Sequence, residues 1–280
     1  MLRALHLLRT VGPWLALWPT GSIHVGRWFG EFHASGWAID SAWSNYLPTW
    51  SMMAVLAWLM RRSQAEAWPT RPLASWYRTV LLPCGAALLL VLCACWNLVQ
   101  DGGMAPLPYL PLLNPLDLST GFALLLAVGA ARLRARDIAA SPKLDRRLLV
   151  ALAGGAWVWF NLILLRSAAH YLGIAYRVDA LADSQVVQAM LSLVWSASAL
   201  VLMRFAARRT WRRAWSTGAG LLGIVVAKLF FVDLSSHGSM ARVVSFVGVG
   251  LLMLLVGYLA PFPKRAEQAT PAPTPSEPIP

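Results

Sequence analysis

Three groups of residues have the types and spacing to do chemistry. The first is an ammonium in an apolar setting, Lys228 in LLGIVVAKLFFVDLSS. A charge inside a membrane span costs at least ~2.5 kcal/mol, so it needs a partner or a stem that reaches the interface. Asp233 lies five residues on, roughly 140° around an ideal helix, and faces elsewhere while the helix lasts. Asp117, at the start of another apolar run, is the better-placed counter-ion. The second group is Arg166 and His170, four residues apart and therefore on one helix face. Histidine titrates near neutrality, which gives His170 the means to act as acid or base. The third is His24, Arg27 and Glu31, which share a face if 22–33 is helical, with His33 and Asp40 nearby. Gly21, Gly26 and Gly30 argue against that helix.

The candidate catalytic residues are thus His170, His24 and Glu31. The candidate binding residues are Lys228, Asp117, Arg166, Asn114, Asp233 and Arg242. Lys228, Asp117 and Arg166 each fall near the outer end of a different apolar run, and together they are expected to form one charge network. No metal site is expected. Cys84, Cys93 and Cys95 lie within one apolar run with no His or carboxylate beside them, and an odd, clustered count suits packing rather than a disulfide framework. There is no Walker loop, dinucleotide glycine turn, nucleophile elbow or HExxH pair, and no cofactor is expected.

The elements that must hold these residues follow from composition. Of 280 residues, 58% are hydrophobic and 13% charged, where a soluble domain has about 25% charged. The fifteen tryptophans fall mostly near the ends of apolar runs, where an indole sits at the hydrocarbon–headgroup boundary. The expected fold is an all-α membrane protein, a bundle of seven transmembrane helices at roughly 42–60, 79–99, 116–133, 148–165, 186–203, 215–232 and 243–260. The segment 4–20 is interrupted by Arg9 and Pro13; it is either an interfacial helix or an eighth span.

Loop charges set the orientation. Lys and Arg number four in 61–78, six in 132–147, five in 204–214 and two after 260; the alternate loops hold none in 100–115, two in 166–185 and one in 233–242. This strict alternation places the basic loops and the C-terminus in the cytoplasm. It also removes the nucleic-acid partner that a net charge of +12 would suggest. The charge sits in short loops, where anionic headgroups meet it, and the expected partners are membrane lipids and other membrane proteins. Glu31, Asp40, Asp101, Asp117, Asp179, Asp183, Asp233 and four of the five histidines fall on the outer side.

Two further stretches stand out. In 105–119, APLPYLPLLNPLDLS, four prolines forbid a continuous helix, and Asn114 or Asp117 is placed to cap the span that follows, with Pro115 in its first turn. In 215–232, Ala219, Gly223 and Ala227 form a small-residue stripe that would let a neighbouring helix approach. The chain is expected to divide into an interfacial or partly inserted segment, 1–41, a bundle, 42–263, and a disordered Pro-rich cytoplasmic tail, 264–280.

The stretches PLPYLPLLNPLDL (106–118), WSTGAGLLGIVVAKLFFVDLS (215–235) and RVVSFVGVGLLMLLVGYLAP (242–261) resemble the C-terminal region of a bacterial membrane-protein family, the domain of unknown function two-three-three-nine. The resemblance covers about the last two-thirds of the chain. It implies a multi-pass protein of the bacterial cytoplasmic (inner) membrane and supplies no activity. Family members are longer, so the chain resembles a short version or a C-terminal portion. Three roles fit: a structural or assembly component of the envelope, a transporter or channel with an outer-leaflet polar site, and an outer-face enzyme acting on a lipid-linked or envelope substrate.

Overall fold

The computed structural model describes residues 2–34, 43–138 apart from 106, 142–228, 250 and 254. Among the described residues every regular element is helical and there is no strand. The order is α1 (Leu2–Thr10), α2 (Gly12–Ala34), α3 (Trp43–Gln64), α4 (Ala74–Trp76), a π-helical turn (Tyr77–Leu81), α5 (Leu82–Val99), α6 (Pro115–Ile138), α7 (Pro142–Leu172), α8 (Val178–Asp183), α9 (Gln185–Arg208) and α10 (Arg212–Lys228). The π turn joins α4 and α5 into one helix, immediately before Pro83, whose missing N–H removes one bond of the ordinary α ladder.

Four helices are long and apolar enough to cross a membrane: Ala74–Val99, Pro115–Ile138, Arg146–Leu172 and Gln185–Arg208, of 24 to 27 residues and mean hydropathy 1.5 to 2.2. Their length exceeds the ~20 residues that a bilayer core requires. They contain the expected runs 79–99, 116–133, 148–165 and 186–203. From Trp43 onward the run 42–60 lies in α3, a 22-residue helix with Pro48 inside it. The run 215–232 opens in α10. The run 243–260 and the tail lie outside the described residues, apart from Gly250 and Leu254.

The chain forms two compact units, Met1–Asp183 and Ser184–Pro280. In the first, α6 is the central helix: half of its apolar window is buried, against 11% of the window on α7. It packs against α3, α5 and α7. Its buried face carries Ala123, Ala127 and Ala130, which meet Met53, Leu56 and Met60 of α3 and Leu82, Ala86, Leu89 and Cys93 of α5. Small side chains are what such a centre requires. Lipid tails are as apolar as leucine, so helices associate through close packing and polar contacts rather than through a hydrophobic drive. The bare apolar residues of α7, among them Leu149, Val150, Val158 and Phe160, suit a lipid-facing surface.

The N-terminal stretch corrects one expectation. Residues 22–33 are helical throughout, within α2, despite their glycines. The chain breaks at Val11, between α1 and α2, rather than at Gly21. Leu2, Leu5 and Leu8 on α1 are exposed, an apolar face of the kind that an interfacial helix presents to lipid.

In the second unit, α9 and α10 are joined by three residues and pack against each other along their lengths. The small-residue stripe is one register off expectation. The buried positions of α10 are Gly218, Leu222 and Val225, whereas Gly223 and Ala227 are exposed. A Cβ on Gly218 would lie 2.6 Å from Met203 Cγ and 3.0 Å from the Ala199 carbonyl oxygen, and one on Gly223 would meet nothing within 4 Å.

Candidate functional site

The first turn of α6 gathers buried charge. Asn114 precedes Pro115, whose fixed φ suits the first helical position. The Asn114 Oδ1 accepts the Asp117 N–H at 2.8 Å, the geometry of an N-cap. Its amide Nδ2 donates to Asp117 Oδ2, which also accepts the Leu112 N–H at 3.2 Å. The other carboxylate oxygen, Oδ1, accepts Nη2 of Arg166, near the end of α7. Arg166 Nη1 donates to Asn97 Oδ1 on α5 at 2.7 Å. The Asn97 amide in turn donates to Thr120 Oγ1 on α6 at 2.8 Å and to the Cys93 carbonyl at 2.7 Å.

Three helices are thereby tied through one ion pair whose two side chains are both 0% exposed. The planar fork of arginine allows this: it presents a donor to each of two neighbours at fixed angles, which a lysine ammonium cannot do. The carboxylate sits at the start of α6, where the helix dipole favours negative charge. One donor is left over. Arg166 Nε is buried with no hydrogen-bond partner among the described residues.

Loops close over the pair. Gly102 has φ +78, a left-handed conformation that glycine adopts without strain. A Cβ there would come within 3.3 Å of Arg166 Cδ, 3.4 Å of Asn114 Oδ1 and 3.5 Å of the Tyr109 ring. His170 stacks on Tyr109 with ring centroids 4.0 Å apart, and its Nε2 lies 3.0 Å from the Asp101 carbonyl. A carbonyl only accepts, so Nε2 carries the proton in that bond. Tyr171 donates to the Tyr109 carbonyl at 3.1 Å. This geometry makes His170 a clamp between the end of α7 and the loops 101–103 and 109.

Beside the clamp opens a cleft of about 490 Å³, whose lining includes Tyr46, Gln100, Asp101, Gly102, Tyr176 and Arg177. The Tyr46 hydroxyl donates to Gln100 Oε1. The Tyr176 hydroxyl donates to the Asn97 carbonyl at 3.1 Å, which links the cleft wall to the helix that holds Arg166. Burial raises the Tyr176 and Tyr109 phenols above their ordinary 10.0, so both stay neutral hydroxyls at physiological pH. Arg177 pairs with Asp179 at 2.6 Å and holds that exposed carboxyl below its ordinary 3.8.

The remaining candidates lie on other helices or outside the described residues. Lys228, in the last turn of α10, donates to the Gln188 carbonyl at 2.9 Å and to Ser192 Oγ at 2.8 Å. Among the described residues it bonds a carbonyl and a hydroxyl and makes no salt bridge. His24, Arg27 and Glu31 are exposed on α2. Asp233 and Arg242 lie outside the described residues, as does Asp40. Among the described residues no group of His, Cys, Asp and Glu could hold a metal ion. Cys93 is buried in the core, and Cys84 and Cys95 are exposed.

Sequence reasoning passed over Asn97, Gly102 and the tyrosines. Asn97 had a signal: an amide in an apolar run needs a partner as surely as a charge does. Gly102 and Tyr176 had none, because their roles depend on which loops meet.

The family model described as predicted membrane protein (DUF2339) matches residues 2–263. The chain belongs to this family. DUF2339 is a domain of unknown function, and its match runs from α1 through α10, well beyond the last two-thirds of the chain that carried the resemblance. No curated protein and no solved structure matches the chain. Membership agrees with the four apolar helices: this DUF2339 chain is a membrane protein, and its role has to be argued from its own residues.

Proposed function

We propose that this DUF2339 protein is a seven-span scaffold of the bacterial cytoplasmic membrane, a structural or assembly component of the envelope. Its basic loops and C-terminus would face the cytoplasm, and the Arg166–Asp117 pair would lock the outer ends of its helices. The observation that carries this role is the closure of the pair: both side chains are 0% exposed, and each neutralises the other. A transport or catalytic charge must meet its ligand or proton, whereas a sealed pair serves to join helices. Three helices share its hydrogen bonds, so a single helix pair could not keep it.

A double-mutant cycle in bicelles tests this role. Arg166→Met strands the Asp117 carboxylate and should cost ~3–5 kcal/mol, as breaking a buried pair does. Adding Asp117→Asn should recover part of that loss, because the stranded charge is gone and the asparagine oxygen can still accept from Leu112 and Asn114. Steric-trapping measurements of unfolding on the wild type, both single variants and the double variant give the coupling, which is the loss in the double variant minus the sum of the two single losses. Wild-type stability in Arg166→Met, or additive effects of the two changes, would remove the lock and the scaffold role with it.

A further inference from the structure

We propose that the cleft between Tyr46, Gln100 and Tyr176 binds a neutral sugar unit. Its volume, about 490 Å³, falls within the roughly 300–1,000 Å³ of ligand sites. The proposal does not rest on the scaffold role, since none of the cleft's side chains belongs to the buried ion pair.

The chemistry of the lining selects the ligand class. Gln100, Asp101 and Arg177 each have a hydrogen bond made and further capacity in reserve. Gln100 Oε1 accepts from Tyr46, which leaves the two amide donors of Gln100. Asp101 Oδ1 accepts the Gly103 N–H at 3.0 Å, which leaves the second carboxylate oxygen. Tyr176 donates its proton to the Asn97 carbonyl, which fixes its ring in the cleft wall. Arg177 uses Nε and Nη2 on Asp179, which leaves Nη1 as a donor. Asn45 adds a second amide, with a donor and an acceptor side by side. Donors and acceptors thus share one concavity. A sugar ring presents the same mixture, because every hydroxyl both donates and accepts. The half-buried Tyr176 ring adds a flat apolar face on which the C–H side of a pyranose can lie, while Tyr46 is fully buried and serves to fix Gln100.

Charge argues against the other polar ligand that a membrane offers, a phosphate headgroup. Arg177 is the one cation of the lining among the described residues and is already paired with Asp179, while Asp101 brings a carboxylate to the rim. An anion would meet net repulsion, whereas a neutral polyol would not.

The cleft is also held in shape before any ligand arrives. Gly102 is fixed by its φ of +78 against Arg166, Asn114 and Tyr109, and both tyrosine hydroxyls are anchored. Arg166 Nε, one bond from the Cδ that approaches Gly102, is a buried donor with no partner among the described residues. A pre-formed site keeps the ordering cost of binding low.

The test uses the full chain in nanodiscs and an array of neutral mono- to tetrasaccharides, both free and attached to diacylglycerol. Inositol hexakisphosphate and phosphatidylglycerol nanodiscs serve as anionic probes. At least one neutral glycan should bind, and Asp101→Asn and Gln100→Ala should each weaken it at least tenfold. Val158→Ala, exposed on α7, should leave binding unchanged. Melting curves of every variant verify folding, and the conservative Asp101→Asn keeps the test informative if Gln100→Ala unfolds. Binding of free and lipid-attached sugar alike would identify an oligosaccharide ligand; binding of the lipid-attached form alone would identify a glycolipid headgroup. Binding restricted to the anionic probes, no binding to any neutral glycan, or binding indifferent to both substitutions would overturn the proposal.

Discussion

At the residue scale, the contrast between Lys228 and Arg166 is instructive. Lys228 is the more conspicuous in the sequence, a lone ammonium among aliphatic residues, yet a carbonyl and a hydroxyl of the adjacent helix satisfy it. Arg166 lies near the end of its run and draws less notice, but it is wholly enclosed. The residue types showed that charge must be compensated; which partner compensates it depends on helix contacts that no local spacing encodes. Gly102 is the extreme case, legible only once Arg166, Asn114 and Tyr109 surround it. Gly102→Ala should therefore lower stability by about 1–3 kcal/mol, since it adds left-handed strain to a 3.3 Å contact with the arginine stem. Thermal unfolding in detergent reads the loss, and a neutral result would mean that the loop does not clasp the pair. Asp179 allows a check of sign. Arg177 depresses its folded pKa, so the pair contributes above the unfolded carboxyl value and its contribution fades as pH falls through the lower folded one. In a carboxyl-carbon NMR titration, Asp179 should turn over at lower pH than in Arg177→Gln. Coincident midpoints would show that the exposed pair does not persist in solution.

At the element scale, four apolar runs were legible because a long apolar stretch has few alternatives to a membrane helix. The helical state of 22–33 was not, since Gly26 and Gly30, with Gly21 just before them, lower local propensity while packing of α2 on α3 overrides it. The α9–α10 contact shows a second limit. The sequence offers several small-residue stripes in an Ala- and Gly-rich helix, and only the partner decides among them. Ala199 and Met203 of α9 meet Gly218, so the interface takes 218, 222 and 225 rather than 219, 223 and 227. Gly218→Ala should then destabilise the pair by ~1–3 kcal/mol through overpacking. Gly223→Ala, with open space around it, should be neutral or stabilising by up to ~1 kcal/mol from helix propensity alone. Melting temperatures of the two variants compared side by side check this, and equal shifts would contradict the observed register.

At the scale of the whole molecule, the pattern that matters is distributed over every loop, so an error at any one helix would break it. Seven runs separate loops whose Lys and Arg content alternates from the first to the last. Omitting one span would put two basic loops, or two bare ones, in succession. The described helices carry the same bias at their ends, with Arg61 and Arg62 closing α3, Arg136 closing α6 and Arg208 closing α9. In a polytopic protein such clusters stay on the cytoplasmic side, because moving them across the bilayer during insertion is the costly alternative. The consequence can be measured with single cysteines in a background lacking Cys84, Cys93 and Cys95. Leu107→Cys and Val178→Cys, both exposed, should react with an impermeant maleimide in intact cells. Arg71→Cys and Thr210→Cys, also exposed, should react only after the membrane is opened. Paired choices matter, because an unreactive site is informative only where the residue is accessible. Labelling of Arg71→Cys from outside would invert the proposed orientation and place the cleft beside Tyr176 on the cytoplasmic face. Labelling of Leu107→Cys and Arg71→Cys from the same side would instead break the alternation and reduce the span count.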